Sequence, residues 1–163
     1  MKTDVAISRR RLSRPLRAAI EAGLVPKSAT YFDYGCGRGD DVRILRACRH
    51  QRRAYGWDPN HAPSSRKRKS DVVGLVYVLN VLPSSRARAA ALRAAAGLAR
   101  RTLIVAVRTD TAPGTPYKGG VRTQAGTYQR NYQAGELARL ITRTLGKTPR
   151  RLEPGVYAVD MRG

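Results

Sequence analysis

Phe32-Asp33-Tyr34-Gly35-Cys36-Gly37-Arg38-Gly39-Asp40 is the stretch that decides how this chain folds. Three glycines alternate with other residues, and an acid stands two positions before the first. Upstream, Ala29-Thr-Tyr-Phe-Asp33 has the composition of a short strand. Downstream, Asp40 and Asp41 open a helical pattern reaching to about His50, their negative charge suiting the positive end of the helix dipole. The glycines let the backbone turn sharply and approach a ligand closely. The helix N-terminus offers N–H groups without intrahelical partners.

Outward from this loop, strands and helices alternate. Residues 1–12, with Arg9, Arg10 and Arg11, read as a flexible basic arm, and residues 13–163 as one domain. Ser13 is placed to cap a helix with Pro15 in its first turn, ending at Gly23. Ala54-Tyr-Gly-Trp-Asp58 is a second strand, and residues 61–70 read as a basic loop. Asp71-Val-Val-Gly-Leu-Val-Tyr-Val-Leu79 suits a central buried strand. A helix over about residues 85–100, with Leu92, Ala95, Ala96 and Ala99 as its buried stripe, precedes a strand over 102–107. Residues 109–132 read as a long loop, followed by a helix over about 134–145 and a last strand, Val156-Tyr-Ala-Val159. This is the pattern of an α/β fold, a mostly parallel sheet with helices on both faces. Ligands in such sheets bind beyond the carboxyl ends of the strands.

The 163 residues carry a formal charge of +21 and a pI of about 11.3, which favours polyanionic partners, nucleic acid above all. There is no signal-peptide pattern and no apolar run of membrane-spanning length, so a cytoplasmic protein without membrane contact is expected. Cys36 and Cys48 lack a Cys-x-x-Cys spacing, so no metal is expected.

Of eleven acids, five fall between residues 33 and 71: Asp33, Asp40, Asp41, Asp58 and Asp71. Such a cluster in so basic a chain suits a ligand that is cationic or rich in hydroxyls. The loop is one residue short of the dinucleotide pattern Gly-x-Gly-x-x-Gly, and the Lys-Ser/Thr of a phosphate-binding P-loop is absent. Its acids would repel a pyrophosphate. S-adenosylmethionine (SAM) has a sulfonium, an ammonium and two ribose hydroxyls, but no phosphate. Asp58 stands 19 positions after Gly39 at the end of the next strand, where a carboxylate meets ribose hydroxyls.

These residues resemble class I SAM-dependent methyltransferases. Ser13-Arg-Pro15, Asp33-Tyr-Gly-Cys-Gly-Arg-Gly-Asp-Asp41, Gly56-Trp-Asp-Pro59, Asp71-Val-Val73, Tyr77-Val-Leu-Asn-Val81 and Gly126-Thr-Tyr-Gln129 look more closely like the DNA phosphorothioation-associated putative methyltransferases, over about residues 7–160. Members of that family usually carry further sequence after this domain. The resemblance implies a Rossmann-like class I methyltransferase fold. It implies that Asp33, Gly35 and Gly37 surround the methionine part of SAM, that Asp58 holds the ribose, and that Trp57 or Pro59 lies near the adenine. Tyr34, Cys36, Gly39 and Leu75 complete the expected cofactor set. In the larger class another strand and helix stand between the strands ending at Asp58 and starting at Asp71. Only about a dozen residues are available here, so a compact variant lacking that unit is expected.

Methyl transfer from a sulfonium needs alignment more than acid–base help. Tyr77 and Asn80 follow the buried strand at the rim where an acceptor would sit, and are the candidate catalytic residues. Leu75-Val-Tyr-Val-Leu-Asn80 lacks the prolines of the Asn/Asp-Pro-Pro-Tyr/Phe signature of DNA amino-methylation, and no Pro-Cys nucleophile for cytosine C5 exists. Arg66, Lys67, Arg68 and Lys69 are candidate phosphate contacts. Arg122, Tyr128 and Arg130 are candidate contacts to unpaired bases. The resulting expectation is a SAM-dependent methyltransferase acting on nucleic acid. The alternative is a weak or inactive module of the same fold that binds nucleic acid or a protein partner.

Overall fold

The computed structural model describes residues 9–48 and 53–163. Its main sheet has six strands: β1 (Tyr31–Tyr34), β2 (Ala54–Trp57), β3 (Ser70–Val76), β4 (Ala99–Ala106), β8 (Arg150–Glu153) and β9 (Val156–Asp160). They lie in the order β2-β1-β3-β4-β9-β8. The first four are parallel, β9 runs antiparallel to β4, and β8 and β9 form a hairpin.

Alternation along each strand separates two cores. Tyr31, Val72 and Ile104 face α1 (Arg14–Glu21) and α2 (Asp40–Ala47), together with Leu16, Ala19, Val42 and Leu45. Phe32, Val73, Leu75, Leu103 and Val105 face α3 (Ser85–Leu98) and α4 (Glu136–Leu145), together with Leu92, Leu137 and Ile141. Both faces are apolar because both are covered, which is why β3 and β4 read as continuous hydrophobic runs.

The chain leaves β1 outward to β2 and then crosses back to β3. The helix after β1 covers one face and the helix after β3 the other. The crevice between the carboxyl ends of β1 and β3 is therefore a topological switch point, where α/β sheets bind ligands. The glycine loop and Tyr77 both stand there.

The expected compact variant is what folds. Between β2 and β3 there is no further strand or helix, only an isolated bridge between Asp58 and Ala62. β2 is left as an edge strand.

Three expectations are corrected. Residues 109–132 do not form a structureless loop. They carry β5 (Thr115–Tyr117), β6 (Gly120–Arg122) and β7 (Tyr128–Gln129), a small antiparallel sheet. The last strand has a partner, β8, whose Arg150-Arg-Leu-Glu sequence hides it because charge is how edge strands are blunted. Ser13 stands at the N-cap of α1, but its hydroxyl bonds Asp41 and not the helix. The arm is described only from Arg9. There it runs against α2: the Arg9 N–H donates to Asp40 at 2.5 Å, and Ser13 donates to Asp41 through its N–H at 2.7 Å and its hydroxyl at 2.5 Å.

Candidate functional site

The glycine loop is tied to the end of β2 by its own backbone. The N–H groups of Gly35 and Cys36 both donate to the Trp57 carbonyl, at 2.7 and 3.0 Å, and Gly39 N–H donates to Cys36 O. Gly35 has φ +84°, and a Cβ there would meet Val78 Cγ2 at 2.4 Å. Val78, the residue before the 3-10 turn Leu79–Val81, therefore presses directly on the loop, which only glycine permits.

Asp58 closes this loop. Its Oδ2 accepts from Gly37 N–H at 3.0 Å, and its Oδ1 from Asn60 and His61 N–H at 2.8 and 3.0 Å. A carboxylate offers about four lone-pair positions, so a hydroxyl can still be accepted at Oδ2.

Asp33 differs from every other acid of the cluster. Asp40 holds the arm at Arg9, Asp41 holds Ser13 at the start of α1, and Asp71 accepts from Thr30 N–H and hydroxyl at 2.8 and 3.0 Å. The cluster, read from sequence as one cationic-ligand site, is thus mostly internal structure. Of these five acids, Asp33 alone keeps a buried oxygen, Oδ1, without a hydrogen-bond partner. It is 5% exposed at the end of β1, on the face shared with Tyr31. Burial above all, with Asp41 and Asp58 adding to it and Arg9 opposing them, raises its pKa from 3.8 to about 8. An unsatisfied buried acid carries a cost of several kcal/mol unless neutral or paired, and a ligand ammonium is such a partner. The residues present therefore fit SAM at its amino-acid end.

Beside the loop, Tyr34 and Trp57 pack with ring centroids 5.1 Å apart. Lys67 lies over them, its Nζ 3.8 Å from the Trp57 centroid and 5.2 Å from that of Tyr34. Cys36 is half-buried, and burial with nearby Asp33 and Asp58 pushes its thiol up to about 12, so it stays protonated. Pro59 is exposed at the turn after β2.

At the rim, Tyr77 takes φ +61°, an outlier for a bulky side chain. Its N–H is held by Ala106 O at 2.9 Å, and the Arg9 guanidinium lies 5.4 Å from its ring centroid. Tyr77 and Arg9, Arg10, Arg11 and Arg14 line a cavity of about 390 Å³.

Several expected site residues do other work. Leu75 is fully buried in the core that α3 covers. Asn80 is 1% exposed; its amide donates to Arg108 O and Arg130 O at 3.2 and 3.0 Å and accepts from Arg108 N–H at 2.9 Å. It fastens the small sheet to the rim and has no donor left for an acceptor. Tyr128 is 2% exposed, with its hydroxyl on Lys118 O, so no base can stack on it. Arg130 is ion-paired with Glu136. Arg122 stays exposed, 4.8 Å over the Tyr117 ring. Arg66 and Arg68 are exposed beside the β2 edge, and Lys69 is exposed just before β3. Sequence reasoning missed the roles of Arg9 and Arg43, which meet where the arm packs on α2, and of Arg46, whose Nε donates to Ala54 O at 2.7 Å.

No protein-family model matches the sequence, and no curated protein matches it. Solved structures do match in fold. One is 1,6-didemethyltoxoflavin-N1-methyltransferase from Burkholderia thailandensis, with 1,6-didemethyltoxoflavin and S-adenosylhomocysteine bound: 20% identity over 92% of this chain and 78% of that chain, TM-score 0.66. The sugar N-methyltransferase KedS8 from Streptoalloteichus sp ATCC 53650 matches at 14% identity over 100% and 99%, TM-score 0.59. SAM-bound CalS10, an amino pentose methyltransferase from Micromonospora echinaspora, matches at 15% identity over 93% of each chain, TM-score 0.56. Among the described residues no helix is long and apolar enough to cross a membrane, and no three His, Cys, Asp or Glu gather as metal ligands. With its mainly parallel sheet, its switch-point glycine loop and these neighbours, the chain has the Rossmann-like fold of class I methyltransferases.

Proposed function

We propose that this protein binds SAM and transfers its methyl group to nucleic acid. The observation that carries the cofactor reading is the buried Asp33 carboxyl, unpartnered at Oδ1 where the glycine loop leaves β1. SAM supplies a sulfonium-borne methyl whose displacement depends on alignment. Asp33 pairs with the ligand's ammonium and loses its proton in doing so. Asp58 accepts a ribose hydroxyl at Oδ2 while its bonds to Gly37, Asn60 and His61 hold the loop in shape. Trp57 and Pro59 flank the adenine, for which Lys67 must leave the ring. Tyr77, held in a left-handed conformation at the rim, presents its ring and hydroxyl to the acceptor.

The nucleic-acid acceptor is supported by the charge of +21, by the arginines around Tyr77, and by the resemblance to a phosphorothioation-associated family. The structural neighbours named above carry small-molecule and sugar acceptors in their own descriptions, so the acceptor reading rests on this chain's own charge and motifs. A second reading, a binding module without turnover, is favoured by one observation: β2 is a bare edge, and Lys67 occupies the aromatic face where an adenine would lie.

Calorimetry with SAM and S-adenosylhomocysteine tests the cofactor; no heat at millimolar ligand sinks it. Incubation with methyl-labelled SAM and separate pools of DNA, RNA and protein then tests the acceptor. Label in DNA or RNA supports the first reading, binding without label the second, and label confined to protein removes the nucleic-acid acceptor.

A further inference from the structure

The missing strand–helix unit leaves more than a bare edge. Alongside β2 and α2 it opens a cavity of about 800 Å³. Four arginines line it, Arg43 and Arg46 from α2, Arg66 and Arg68 from the loop before β3, and no acid is among its lining residues. Tyr55 stands between two of them, 4.2 Å from the Arg68 guanidinium and 5.5 Å from that of Arg46, measured to its ring centroid. Cys36 and Gly39 of the glycine loop form its inner wall, so the groove runs up to the candidate cofactor site. Among the described residues, no carboxylate pairs with Arg46, Arg66 or Arg68. Arg43 pairs with Asp40 at 3.1 Å, and its Nη2 also reaches Arg9 O at 3.2 Å. That contact joins the groove to the arginine-lined cavity at Tyr77.

We propose that this groove binds a single nucleic-acid strand, its phosphates on Arg66, Arg68, Arg43 and Arg46 and its bases against the Tyr55 side of the wall. Three guanidiniums without a carboxylate partner, and a fourth, Arg43, shared with Asp40, match a phosphodiester chain in charge, and a guanidinium meets phosphate oxygens two at a time. An aromatic ring set among arginines distinguishes a strand with bases from a bare polyanion. The identity of the occupant rests on the nucleic-acid reading above; strand binding itself is measured without SAM, so the two fail separately.

The test is fluorescence anisotropy with a labelled 20-nucleotide single strand across a salt series, on the full chain. Arg66→Glu with Arg68→Glu removes two contacts from the groove. Arg143→Glu with Arg150→Glu makes the same charge change at exposed positions on α4 and β8. The groove variant is expected to bind at least about tenfold more weakly, with a log–log salt slope shallower by about 1.4, while the control stays within about twofold. Because Arg68 lies on Tyr55, Arg66→Glu alone is the second variant; it leaves that contact intact and should lose about half the slope change. Equal loss in groove and control variants reduces the effect to diffuse charge and overturns the proposal. So does an absence of strand binding, or displacement of the strand by inorganic polyphosphate at equal phosphate concentration. Calorimetry with S-adenosylhomocysteine on the groove variant should be unchanged.

Discussion

Asp33→Asn tests both the energetics of the site and its chemistry. The acid is buried, its Oδ1 has no donor, and burial with two neighbouring acids sets its pKa at about 8 against an ordinary 3.8. An acid with a raised folded pKa binds more protons folded than unfolded between those two values. Stability therefore falls as pH climbs from about 4 to about 8 and is level above. At about 1.4 kcal/mol per pKa unit the gross penalty is roughly 5–6 kcal/mol. Relaxation and water penetration lower such penalties, so about 2–4 kcal/mol should remain at pH 8.5. Asparagine keeps the shape and never ionises. In urea denaturation, Asp33→Asn should exceed the parent chain by about 2–4 kcal/mol at pH 8.5 and match it within about 1 kcal/mol at pH 4.5. The binding side follows from the same proton. At pH 5 a penalty of that size leaves Asp33 mostly protonated in the free protein, and an arriving ammonium ionises it. SAM binding should then release close to one proton, seen as a dependence of calorimetric heat on buffer ionisation enthalpy, and the release should vanish in Asp33→Asn. If the parent chain's stability is flat from pH 4.5 to 8.5, or the asparagine variant shows the same slope, the account of Asp33 is wrong.

Two further outcomes probe the scaffold. The Tyr31 hydroxyl is fully buried without a partner and lies 2.3 Å from where a Cβ on Gly74 would stand; Tyr31→Phe should therefore be neutral or stabilise by about 1 kcal/mol, and Gly74→Ala should cost less in that background, which a double-mutant cycle by thermal melting reads directly. Asn80→Ala removes three hydrogen bonds to part-buried backbone groups of Arg108 and Arg130 and should cost about 1–3 kcal/mol, with hydrogen exchange rising first in β5–β7; unchanged exchange there would show that Asn80 does not hold the small sheet.

The fold was legible because its signals are local. A strand, three alternating glycines and a helix start fix a βαβ unit within a few residues, and β3 and β4 announce double-sided burial by their unbroken apolar runs. The small sheet was not legible. Its strands are three, three and two residues long, too short for alternation to show, and what fastens them is Asn80, fifty positions from Arg130. The same distance in sequence explains the misread site residues. Tyr128 looks like a stacking residue among arginines, and only the β6–β7 pairing reveals that its ring turns inward. Leu75 lies in the right strand, but alternation sends it to the α3 core.

The acids carry the most instructive difference. Clustered in a sequence so short of carboxylates, they read as one binding site for a cation. Folded, Asp40 anchors the arginine arm, Asp41 holds Ser13 at the start of α1, Asp71 ties β3 to the start of β1, and Asp58 shapes the turn beside it. In a chain of such positive charge, carboxylates are the scarce means of satisfying buried N–H groups, and most are spent that way. This inverts how the cluster should be read: density of acids marks where backbone must be held, and the ligand site is marked by the one acid left over. Asp33 is that acid, at the switch point where the fold itself leaves a crevice. The arginines follow the complementary rule. Those with a nearby acid, Arg130 on Glu136 and Arg108 on Asp110, are used up internally, while Arg66 and Arg68 face a groove that exists only because a strand and helix are absent.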